Sequence, residues 1–107
     1  MTILPDDLKQ EIITFSEKNR SQESCGIIYE KLSKIYFKGC ENISDSPKLM
    51  FAIDPAIFLE YDVKYIFHSH PLTSEFPSSW DIKNCKIIQI PYIIYSLKTK
   101  KFFLIKI

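Results

Sequence analysis

Apolar and polar positions change their period several times along the chain, and those changes mark out its elements. Leu8, Ile12 and Phe15 recur at helical spacing as the buried stripe of a helix behind Pro5-Asp6-Asp7, where proline suits a first turn and the acids complement the helix dipole. Lys18 and Arg20 fall at the far end of this first predicted helix. Cys25-Gly26-Ile27-Ile28-Tyr29 then reads as a buried strand, Lys31-Leu32-Ser33 as a turn, and Ile35-Tyr36-Phe37 as the second arm of a hairpin. The polar stretch from Gly39 to Lys48 contains Pro47 and is expected to be a loop. Apolar character returns at Leu49–Ile53, and Asp54-Pro55 offers an N-cap and first-turn proline for a short helix through Leu59-Glu60. Lys64–His70 is a strand stopped by Pro71, which has no amide hydrogen to give to a ladder. A helix from Ser78 to about Ile88 follows, then strands over Pro91–Tyr95 and Phe102–Ile105 joined by the basic turn Lys98-Thr99-Lys100. This order predicts an α/β fold built on one sheet, with residues 1–107 forming a single domain.

Composition narrows the function more by exclusion than by indication. Fourteen basic residues stand against thirteen acidic ones for a net charge of +1, which is no electrostatic footprint for nucleic acid or an anionic membrane. No apolar run approaches the roughly 20 residues of a membrane span. Met1-Thr2-Ile3-Leu4-Pro5 lacks the basic start and apolar core of a secretory signal, so a bacterial or host cytoplasm, or a virion tail assembled there, is the expected location. Cys25, Cys40 and Cys85 are odd in number and widely spaced, which fits reduced thiols rather than a disulfide framework. Cys25 and Cys85 read as small buried hydrophobes rather than ligands or nucleophiles, and Trp80 with the aromatic runs reads as core.

The candidate chemistry lies between residues 68 and 81. The only two histidines, His68 and His70, are two apart at the end of a predicted strand, so they share a face while Ser69 points away. Asp81 falls on the first turn of the next helix, and two imidazoles with one carboxylate form a three-ligand set suited to a catalytic zinc with an open fourth position. The same residues also fit a structural reading: a solvated His-x-His pair, and Ser78-x-x-Asp81 as a helix cap with its acid near the positive end of the dipole. Glu23, just ahead of the first strand, is either an exposed loop acid or a carboxylate able to move the proton of an attacking water.

Taken together, Glu23-Ser24-Cys25-Gly26-Ile27-Ile28, then His68-Ser69-His70-Pro71, then Ser78-Ser79-Trp80-Asp81 resemble the JAMM (MPN-type) metallopeptidases. That pattern runs from a glutamate at the head of the first strand to H-x-H, ten residues and an aspartate, and the resemblance covers nearly the whole chain. It implies one Zn²⁺ per chain held by His68, His70 and Asp81, with Glu23 as general acid/base and Ser78 supporting the oxyanion. It implies a mixed, curved sheet flanked by helices, with the architecture of the cytidine deaminases, although the deaminases' own zinc signature is absent. Cys40-Glu41-Asn42, Phe51-Ala52-Ile53-Asp54-Pro55, and Cys85 with Pro91-Tyr92-Ile93-Ile94 are similar to the amino-terminal domain of lambda-type phage tail assembly proteins. In that branch a cysteine-peptidase domain acting on cell-wall peptides usually follows, so the resemblance implies peptide or protein-conjugate substrates and, as partners, tail-tip proteins or a separate cysteine-peptidase chain, the alternative being a trimmed stand-alone version. Against peptide hydrolysis stand a non-catalytic tail-tip assembly module and the processing of ubiquitin-like sulfur-carrier proteins.

Overall fold

The computed structural model describes residues 4–107. Five strands form one open, mixed sheet in the order β2-β1-β3-β4-β5. In chain order the elements are α1 (Asp6–Lys18), β1 (Cys25–Lys31), β2 (Lys34–Cys40), α2 (Ile57–Glu60), β3 (Asp62–His70), α3 (Ser79–Ile88), β4 (Tyr92–Ser96) and β5 (Phe102–Ile105). β1 pairs antiparallel with both β2 and β3, β3 runs parallel to β4 through the crossover that contains α3, and β5 closes the order antiparallel to β4. The predicted α/β class with a single mixed sheet flanked by helices is what the chain adopts.

Period-two alternation divides the core between the two faces of the sheet. Ile28, Phe67, Ile93 and Tyr95 point toward α1 and pack on its Leu8 and Ile12. Ile66 and Tyr92 point the other way, onto Cys85 of α3 and the partly buried Phe51 and Phe58. Gly26 is required where β1 meets β2, since a Cβ there would collide with the backbone carbonyl of Lys38. At the hairpin tip Leu32 and Ser33 take φ of 52° and 66°, the left-handed region that glycine or asparagine fills more readily.

Three expectations change. Asp54-Pro55 does not start a helix. Asp54 Oδ1 accepts from the Ala56 amide, and Ile57, Phe58 and Leu59 bond back three residues, a tight turn that becomes helix only at Ile57. Trp80 is not core: on the first turn of α3, it is 48% exposed. Phe15 is only partly buried, and Ser16 rather than Phe15 closes the fully buried stripe of α1.

Candidate metal centre

Strand parity and a helix cap build the centre. Along β3, His68 and His70 face α3 while Phe67 and Ser69 face the other way. Ser78 caps α3 reciprocally: its hydroxyl accepts from the Asp81 amide at 3.0 Å, and Asp81 Oδ2 accepts from the Ser78 amide at 3.0 Å. The cap and the ligand reading are therefore compatible, because the cap is what aims the Asp81 carboxylate at the histidines. Nε2 of His68 lies 3.1 Å from Asp81 Oδ1, and Nε2 of His70 lies 3.1 Å from Asp81 Oδ2. One ligand atom from each of the three residues falls within 4.8 Å of the others. Two ligands on one tetrahedral zinc sit about 3.3 Å apart, given metal distances of about 2.0–2.1 Å; the two imidazole–carboxylate distances match this, and the widest pair of the three would close in on a bound ion.

The surroundings of each group separate a metal site from a solvated pair. His68 has no exposed surface, and neither ring nitrogen has an aligned hydrogen-bond partner among the described residues, even though Nε2 lies close to Asp81. Such a buried polar group is unfavourable unless something else satisfies it. Burial holds its pKa down against the opposing pull of Asp81, which keeps the ring neutral with a lone pair to give. Phe51 stacks on it at 4.5 Å between centroids, and Tyr92 meets it edge-on at 5.6 Å. His70 Nδ1 donates to the Ser74 carbonyl at 2.7 Å, which fixes the tautomer and turns Nε2 toward the cluster. For His70 burial pulls the pKa down, but Asp81, the Ser74 carbonyl and Glu23 outweigh it and the net shift is upward. Burial likewise disfavours charge on Asp81, yet the two imidazoles and the Ser78 amide hold its carboxyl far below the usual range. Neutral nitrogen, oriented nitrogen and ionised carboxylate are a donor set that fits a divalent cation.

A cavity of about 420 Å³ opens over Asp81 and Ser78, with Glu23 in its wall beside Met50, Phe51 and Trp80. Burial pushes the Glu23 pKa up to about 7; His70 opposes that rise and Asp81 adds to it. The structure thus brings all five sequence-nominated residues to one region. Ser78 accepts one bond through its oxygen, which leaves its hydroxyl hydrogen free to donate into the cavity.

Sequence reasoning passed over three groups here. Ser24 and Ser69 join the ends of β1 and β3: the Ser69 hydroxyl accepts from the Ser24 amide at 2.8 Å, and the two hydroxyls are 2.9 Å apart. Phe51 stands in an apolar run and in the tail-assembly resemblance, but nothing in its local pattern points to a histidine 17 residues away. Asn42 had no local signal for its hydrogen bonds either. Cys25 and Cys85 are buried, as small hydrophobes are, and burial with nearby Cys40 and Glu23 pushes the Cys25 thiol up to about 12.

The model for prokaryotic homologs of the JAB domain matches residues 5–106. The chain belongs to that family. No curated protein matches it. Among solved structures, this JAB-family chain is similar to a protein from Desulfitobacterium hafniense at 22% identity and a TM-score of 0.65, covering 92% of this chain and 77% of that one. It is also similar to a protein from Salinibacter ruber at 16% identity and a TM-score of 0.59, covering 97% of this chain and 80% of that one. At these identities the structural likeness speaks for the fold alone. Among the described residues no helix is long and apolar enough to cross a membrane.

Proposed function

We propose that this JAB-family chain is a zinc-dependent peptidase or isopeptidase of JAMM type, its residues working as one domain, that hydrolyses an amide bond in a peptide or protein conjugate. The observation that carries the reading is His68, a fully buried imidazole with no aligned partner, set against a buried carboxylate and a second oriented imidazole. His68, His70 and Asp81 would hold the ion. Zinc, when bound, supplies Lewis-acid polarisation and lowers the pKa of water from 15.7 to about 7.

The remaining chemistry belongs to the chain's own side chains. Glu23 takes a proton from the attacking water as the carbon–oxygen bond forms, then returns it to the amine nitrogen as the carbon–nitrogen bond breaks. A carboxyl titrating at about 7 suits both halves, because it is readily loaded and unloaded near neutral pH. The Ser78 hydroxyl donates toward the oxygen that gains negative charge, from a position held by the α3 cap. Phe51 and Tyr92 exclude water from the far side of His68 and lock its ring.

Zinc content and turnover test this separately. The purified protein is expected to hold one zinc per chain and His70→Ala to lose it. Glu23→Gln is expected to keep the zinc while hydrolysis drops about 10²–10⁴-fold. Full turnover by Glu23→Gln on a verified substrate would falsify the general-base assignment. The tail-assembly resemblance points to wall-derived peptides as the first substrates to try, beside tagged ubiquitin-like conjugates.

A further inference from the structure

Asn42 follows β2 and has a buried side chain, although it is neither a ligand nor a residue of the cavity wall. Its amide nitrogen donates to the Glu23 carbonyl at 2.8 Å and to the Met50 carbonyl at 3.0 Å, with the Pro47 carbonyl farther off at 3.4 Å. Its oxygen accepts from the Ser44 amide at 3.0 Å and the Ala52 amide at 3.1 Å. Two donors and two accepted bonds are the full capacity of a primary amide, and they are spent on one loop and one neighbouring residue. The loop closes on itself where the Ile43 amide meets the Ala52 carbonyl, and on Glu23 where the Glu23 amide donates to Pro47 at 2.8 Å. It carries Phe51, whose ring lies on His68, and Glu23 leads directly into the Ser24–Ser69 junction beside both histidines.

We propose that Asn42 is a positioning residue: its side-chain amide holds the loop 43–52 and the Glu23 backbone in one frame, and so places the Glu23 carboxylate and the Phe51 ring against the His68–His70–Asp81 cluster. The part concerning Glu23 rests on the hydrolytic reading above; the part concerning Phe51 does not. Other side chains fail for identifiable reasons. Aspartate offers both acceptors but no amide donors, serine has a single donor, and glutamine sets the same group one methylene too far out. Truncation leaves the Glu23 and Met50 carbonyls and the Ser44 and Ala52 amides without their partner, and the loop is then free to leave His68.

Two variants separate the parts. Asn42→Ala removes every bond, whereas Asn42→Asp keeps the oxygen that accepts from Ser44 and Ala52 and loses the donor to Glu23. In the alanine variant the ring-proton resonances of His68, shifted by the stacked Phe51, are expected to move toward unstacked values, and the Ala52 amide to exchange faster. In the aspartate variant the Ala52 amide is expected to stay protected. Both variants, each at one zinc per chain, are expected to lose about tenfold or more in kcat, since small misplacements of a reacting group weigh heavily, with KM within about threefold of wild type. Wild-type kcat in both variants overturns the placing of Glu23. Unmoved His68 resonances in the alanine variant overturn the placing of Phe51. If zinc-loaded wild type hydrolyses no amide, the proposed hydrolysis fails by itself, and the His68 resonances alone then decide the inference. If the alanine variant does not fold, the aspartate variant decides the placing of Glu23 on kcat, and Asn42→Ser, whose short side chain cannot span from Met50 to Ala52, decides the placing of Phe51: unmoved His68 resonances overturn it.

Discussion

Phe67 and His68 are neighbours on β3, both with 0% exposure, and they face opposite sides of the sheet. Phe67 meets α1 and the apolar residues around it, and its burial is repaid by every contact it makes. His68 stacks on Phe51 and meets Tyr92 in a T-shaped contact, while its Nε2 is turned to a carboxylate and neither ring nitrogen makes an aligned bond. One residue is buried to hold the fold. The other is buried at the fold's expense, in a position that makes sense once a cation is supplied. The same strand therefore does two jobs by parity alone: its odd positions near the end complete a core, and its even ones form a centre.

The largest effect should come from the apolar side. Phe67→Ala is expected to lower stability by about 3–5 kcal/mol, read as a fall in the urea midpoint at unchanged slope, because no neighbour can fill the space of a ring. On the other face the comparison sharpens with metal. Zinc at about 100-fold above its dissociation constant should add about 2.7 kcal/mol to wild type and nothing to His70→Ala, measured by thermal unfolding with and without chelator. Metal-free His68→Phe should be within about 1 kcal/mol of wild type or more stable, since it exchanges an unsatisfied imidazole for a ring; a loss as large as that of Phe67→Ala would break the comparison.

A pH dependence follows from Glu23. In the folded metal-free protein it titrates at about 7, above its ordinary value of 4.5. Between those values the folded state holds a proton that the unfolded state has given up, so this group's contribution makes stability fall as pH rises. His70 and Asp81 add slopes of their own, so the Glu23 part is the portion that vanishes in Glu23→Gln when urea midpoints at pH 5 and pH 7 are compared. The smallest effect is far from the centre: Ser33→Gly should stabilise by about 1 kcal/mol by relieving a left-handed backbone, with zinc binding unchanged.

Short-range pattern carried most of the fold. β5 keeps its predicted span, α3 begins one residue after its cap Ser78, and the ends of β1 to β4 shift by a few residues where ladder pairing runs past the apolar run. The site was legible for a similar reason. His68 and His70 share a strand, and Ser78 and Asp81 share a helix start, so each pair's geometry is set by local parity or capping. The short helix ends at Glu60 as expected but starts at Ile57 rather than after Asp54, because an Asp-Pro cap and a tight turn of three-residue bonds start with the same residues. Trp80 was misread because an aromatic residue beside a cap has no local mark of the face it takes.

By itself, the sequence determined the order of elements, the alternation that turns both histidines to one face, and the cap that orients Asp81. All of these depend on residues within about one helical turn or one strand of each other, where backbone periodicity alone sets direction. Only the tertiary structure decided that the two pairs meet, that His68 lies dry between Phe51 and Tyr92, that Glu23 is buried enough to titrate at about 7, and that Asn42 ties the loop to Glu23. Those facts depend on contacts between residues far apart in the chain, such as Glu23 with His70 and Asp81, and on the water that folding removes from between them, which no local pattern records.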